Sequence, residues 1–81
     1  MPKMEIKKSE LDKVIQAERD YFNHEIGAFK CSIIEEKAFG DEKNWVSDIL
    51  TGITTKRNNH DEPNETYYKV LEVLGFEIIE G

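Results

Sequence analysis

Glycine sets the scale of structure in this chain. Gly27, Gly40, Gly52 and Gly75 each follow a stretch with apolar periodicity, where a glycine reads as the end of a helix. A chain of 81 residues punctuated in this way holds one domain of short helices and is too short for two domains. The same scatter of glycines excludes a glycine-rich phosphate loop. With 38% hydrophobic and 35% charged residues, the core must be lean, and a domain this small has a thin stability margin.

Between these breaks the pattern is helical. Residues 1–8 read as a flexible polar arm, leaving 9–81 as the domain. Ser9 is a suitable N-cap, with Asp12 three residues on. Over residues 10–21, Leu11, Val14, Ile15 and Glu18 follow the i, i+3, i+4, i+7 spacing of one helix face, the first three apolar. A turn is expected within residues 22–28. A second helix is expected over 32–39, with Ile33, Ile34 and Ala38 inward, Glu35, Glu36 and Lys37 in water, and Gly40 as its stop.

A third helix is expected over 42–50, capped by Asp41 and stopped by Gly52. Trp45, Val46, Ile49 and Leu50 form its apolar face, which places Trp45 in the core. Residues 53–63 read as a polar loop closed by Pro63. Asn64 then caps a last helix carrying Tyr67, Tyr68, Val70, Leu71 and Leu74 and ending at Gly75. Residues 76–80 fit a short strand or an extended tail on the core. The expected fold is therefore all-α, a compact bundle of four to five short helices.

Two short helices joined by a tight glycine turn meet the geometric requirement of a helix-turn-helix. The run from Gly40 through Asp41, Glu42, Lys43, Asn44, Trp45, Val46, Ser47, Asp48, Ile49, Leu50 and Thr51 to Gly52 resembles the turn and recognition helix of lambda-repressor/Cro-like domains. The proline-led helix ending in Leu74 and Gly75 extends the resemblance over residues 32–76. The likeness implies a sequence-specific DNA-binding regulator of bacterial or phage origin, a repressor acting as a homodimer on double-stranded operator DNA. It maps base-reading roles onto Lys43, Asn44 and Ser47, with Lys56, Arg57, Asn58 and Asn59 placed for phosphate contacts. Tyr67, Tyr68, Phe76, Ile78 and Ile79 are the expected dimer surface. The chain departs from the family in its longer loop over 53–63 and in the acids Asp41 and Glu42 at the start of the recognition helix.

Charge supports a competing class. Seventeen acids against 11 bases leave a net charge of −6, whereas nucleic-acid binders are usually basic. The tail from Asp61 carries six acids against Lys69 alone, while Lys56 and Arg57 make residues 51–60 locally basic. A small acidic protein of the antirepressor or anti-CRISPR type, occupying the basic groove of a host nucleic-acid-binding protein, is the alternative expectation.

Little else carries chemistry. Cys31 is the single cysteine, too few for an internal disulfide or a cysteine-based zinc site, and reads as a small core residue in a reducing cytosol. His24 and His60 are far apart, His60 with Asp61 and Glu62 reads as a solvated loop, and Glu35 with Glu36 as exposed charge. No enzyme activity, cofactor, metal or membrane association is expected, and the expected location is cytoplasmic.

Overall fold

The computed structural model describes residues 4–56 and 63–81. Among these the chain is mainly helical, in the order β1 (Glu5–Lys7), α1 (Lys8–Phe22), α2 (Ala28–Phe39), a 3-10 turn (Gly40–Glu42), α3 (Lys43–Lys56), α4 (Asn64–Val73) and β2 (Glu77–Ile79). None of the described helices is long and apolar enough to cross a membrane.

The core follows from the spacing in α1. Leu11, Val14 and Ile15 are fully buried, and they pack with Val46 and Leu50 of α3 and Tyr67 and Leu71 of α4. Tyr67 is a large polar-tipped residue with no exposure at all, so its hydroxyl needs a partner inside. Thr54 supplies one at 2.8 Å. Thr54 Oγ1 donates its own proton to the Leu50 carbonyl at 3.1 Å, which leaves the Tyr67 hydroxyl as donor to Thr54. Nearer the surface α4 is tied to α1 at Asp12, whose Oδ1 accepts from Asn64 Nδ2 at 3.0 Å and from the Tyr68 hydroxyl. Burial, and then the bond to Asp12, pushes the Tyr68 hydroxyl up to about 12.

The fold is not purely α. β1 and β2 pair in parallel, with Glu5 opposite Glu77, Ile6 opposite Ile78 and Lys7 opposite Ile79. The arm expected over residues 1–8 is therefore part of the fold from Met4 onward, because Ile6 is an apolar anchor with 1% exposure. β1 runs directly into α1, so the helix starts at Lys8 and Ser9 lies inside its first turn, with no side-chain cap at Lys7. The tail fits the strand alternative. Its entry is set by a Schellman turn, with Phe76 N–H donating to Leu71 O and Gly75 N–H to Glu72 O, both at 3.0 Å. Gly75 has φ +104, which a side chain resists, and Leu71 and Phe76 are both buried beneath the turn.

Further boundaries move for physical reasons. The turn expected in 22–28 is present, with His24 at φ +64, but α2 then begins at Ala28, a turn earlier than expected. Gly40, at φ +58, does end α2. Gly52 does not end α3, which continues to Lys56. A mid-helix glycine costs about 0.5–1 kcal/mol, and the burial of Thr54 with its bonds to Leu50 and Tyr67 outweighs that cost. The expected loop is thus helical over residues 53–56, and residues 57–62 lie outside the described residues.

Candidate binding surface and the buried junction beneath it

The third helix has two unlike sides. Its inner side buries Val46, Leu50 and Thr54 completely. Beside them Ser47 Oγ donates to Glu35 Oε2 of α2 at 2.7 Å. One turn on, Thr51 Oγ1 donates to both carboxylate oxygens of Glu18 on α1, at 3.3 and 3.2 Å. Glu18 and Glu35 are 2% and 5% exposed. The expectation of Glu35 as surface charge is overturned: it lies one turn from Cys31 and one turn from Phe39, both buried, on the inner stripe of α2. Ile33, expected inside, is exposed instead.

These acids meet Cys31. One ligand atom from each of Glu18, Cys31 and Glu35 lies within 4.8 Å of the others, beside a cavity of about 330 Å³ that Tyr21 and Phe22 also line. Carboxylates and a thiolate can bind a divalent cation, but the thiolate is the ligand form. Burial, and then the charges of Glu35 and Glu18, push the Cys31 thiol up to about 12, with Lys43 pulling it slightly back. The carboxylates are also engaged by Ser47 and Thr51. The group is accordingly a hydrogen-bonded cluster. Burial raises Glu18 to about 8, reinforced by its hydrogen bond with Glu35 and by that residue's charge, and opposed by the bond from Thr51.

Sequence reasoning passed over this junction, although a signal was present. Glu18 occupies the i+7 position of the Leu11, Val14, Ile15 stripe, so the helix geometry turns it inward. A carboxylate on an apolar stripe is the trace such a site leaves in sequence.

The outer side of α3 presents Asn44, Trp45, Asp48, Gly52 and Thr55, all exposed. The exposed Asp41 and Glu42 of the 3-10 turn precede it. Trp45 is 54% exposed, which corrects its expected place in the core. Its ring leans on Phe76 at 5.1 Å between centroids with an interplanar angle of 45°. The inward arc of α3 includes Ser47 and Thr51, whose hydroxyls meet the two buried acids, and Trp45 falls outside that arc.

Of the described residues expected to read bases, only Asn44 is exposed. Asn44 faces water, whereas Ser47 is spent on Glu35. Lys43 opens α3 half-buried, with its charge acting on Cys31. Lys56 closes α3, and Arg57, Asn58 and Asn59 lie outside the described residues. The expected dimer surface is corrected in part. Tyr67 and Phe76 are buried in the domain's own core and Tyr68 is bonded to Asp12. In comparisons with known proteins, no family model, no curated protein and no solved structure matches the chain.

Proposed function

We propose that this domain is a protein-binding regulatory module that docks the outer side of α3 onto a basic surface of its partner, in the manner of a small acidic inhibitor or antirepressor. One observation carries the reading: a tryptophan 54% exposed sits beside the exposed Asp48, just after the exposed Asp41 and Glu42 of the 3-10 turn, while the base next to it, Lys43, is half-buried. An exposed Trp wastes apolar surface unless a partner covers it, and Trp is the side chain most enriched among interface anchors. The surrounding carboxylates would repel phosphates and attract lysine and arginine, which steers association and selects against nucleic acid.

The test is a photo-crosslinker at Asn44 in the native host, followed by kinetics with the trapped partner. Contact through a Lys- and Arg-rich surface is expected. Trp45→Ala should weaken binding by about 2 kcal/mol or more. Glu42→Gln should slow association, with the difference shrinking as salt rises.

The exposed Asn44, in the first turn of the helix that follows the Gly40 turn, favours a second reading as an operator-binding regulator, since asparagine can pair bidentately with adenine. In that case a duplex enriched from a random pool would show a preference lost in Asn44→Ala, and Glu42→Gln would tighten binding at low salt. That pair of results would overturn the protein-docking reading.

A further inference from the structure

We propose that the Glu18–Glu35 pair is a proton-operated latch that holds α3 against α1 and α2, closed while the two carboxyls share a proton and loosened when that proton is lost. Three helices meet at one point, each supplying polar groups: Glu18 from α1, Glu35 and Cys31 from α2, and Ser47 and Thr51 from α3. Both carboxyls are at least nine-tenths buried, and an oxygen of each lies within 4.8 Å of the other. Two carboxylates this close together out of water repel one another, so the pair favours holding one proton between them. With that proton in place the cluster carries one buried negative charge, distributed over the hydroxyl donors of α3.

Among the groups around the pair, the second carboxyl favours keeping the proton and the Thr51 hydroxyl opposes it. From α2 come Glu35 itself and the Cys31 thiol, which is neutral at ordinary pH. From α3 come two neutral hydroxyls and Lys43, whose charge reaches Cys31. From α1, Tyr21 lines the adjoining cavity, and Arg19 directs its guanidinium over the Tyr67 ring at 5.7 Å. Burial and the second carboxyl accordingly dominate at Glu18 and raise its affinity for the proton.

Opening is a simple ionisation. The Glu18 carboxylic acid gives its proton to solvent and becomes a second carboxylate beside Glu35. Two like charges then lie close together out of water, in the arrangement that raises one member of a carboxylate pair. Ser47 and Thr51 have one proton each to donate and cannot hydrate both groups fully. The adjoining cavity offers water a way in, and separation of α3 from the pair relieves the repulsion. Whatever binds α3 would then meet a differently seated helix. Only that last step rests on the docking function proposed above.

The sign of the pH dependence follows. Glu18 has its ordinary value of 4.5 when unfolded and about 8 when folded. Between those values the folded chain binds a proton that the unfolded chain has released, so stability falls as pH rises through this window. Below it both states hold the proton, and above it neither does. The urea midpoint should therefore fall as pH rises across the window.

The full chain is its own probe, because its one tryptophan, Trp45, lies on α3 against Phe76. Trp45 emission and the urea midpoint are followed from about pH 5 to about pH 9 in wild type, Glu18→Gln and Glu35→Gln, with no partner present. Wild type should lose urea resistance as pH rises and show a one-proton step in emission near the upper end, with helical circular dichroism retained. Glu18→Gln should abolish the step and flatten the midpoint. If either variant fails to fold, carboxyl-carbon NMR of the wild type decides, with one Glu expected to titrate far above the rest. A pH-independent wild type, a step that survives in both variants, or carboxyls that all titrate below about pH 6 would overturn the latch. Because no partner is used, such a failure leaves the docking reading untouched, and a failed docking experiment leaves the latch untouched.

Discussion

The two sides of α3 differ in what the fold demands of them. On the inner side nearly every residue is committed: Val46, Leu50 and Thr54 are sealed in the core, and Ser47 and Thr51 donate hydrogen bonds to buried acids. On the outer side Asn44, Asp48, Gly52 and Thr55 face water, and Trp45 is only half covered, by Phe76. Stability therefore constrains the inner residues and leaves the outer ones open to other demands. A large aromatic among acids on the uncommitted side is the best indication of where the molecule meets something else.

The strongest challenge to this contrast is truncation inside. Leu50→Ala removes a fully buried side chain and should cost about 2–5 kcal/mol in urea unfolding, enough to unfold most of so small a domain. A loss below about 1 kcal/mol would mean that the inner side is looser than its burial indicates.

A smaller effect separates neighbouring polar residues. Ser47→Ala removes the hydroxyl that donates to Glu35 and should cost about 1–3 kcal/mol. Asn44→Ala, three residues earlier on the outer side, should stay within about 0.5 kcal/mol of wild type. Equal effects would erase the distinction between the sides.

Trp45→Ala should cost about 1 kcal/mol, well below the roughly 3–5 kcal/mol for a buried tryptophan, since the side chain is half-exposed and leans on Phe76. Smallest and opposite in sign is Gly52→Ala. The new methyl group would meet nothing within 4 Å and should stabilise α3 by about 0.5–1 kcal/mol. A destabilising Gly52→Ala would show that the helix is not regular there.

These contrasts mark how far the sequence could be read. The apolar stripe of α1, the Gly40 turn, the break at Gly75 and the tail on the core were all legible, because each rests on local spacing or on a backbone conformation that glycine favours. The orientation of α3 was not. Its apolar residues alone place Trp45 beside Val46 and Ile49, whereas the polar partners of its inner side, Glu18 and Glu35, lie on two other helices. A glutamate is solvated in most positions, so its burial shows in sequence only as an acid lodged in an apolar stripe. The same long-range origin hid the extent of α3, where a buried Thr54 bonded to Tyr67, thirteen residues on, carries the helix past Gly52. β1 was hidden because its partner strand lies at the opposite end of the chain.

The central claim is that the outer side of α3 recognises protein and not phosphate. An amide-resolved NMR titration of the whole protein with a random pool of short duplexes, at low salt where phosphate attraction is strongest, tests it directly. The account predicts that the amides of Asn44, Trp45 and Asp48 stay unshifted up to a large excess of DNA. Saturable shifts on those residues that reverse as salt is added would contradict it.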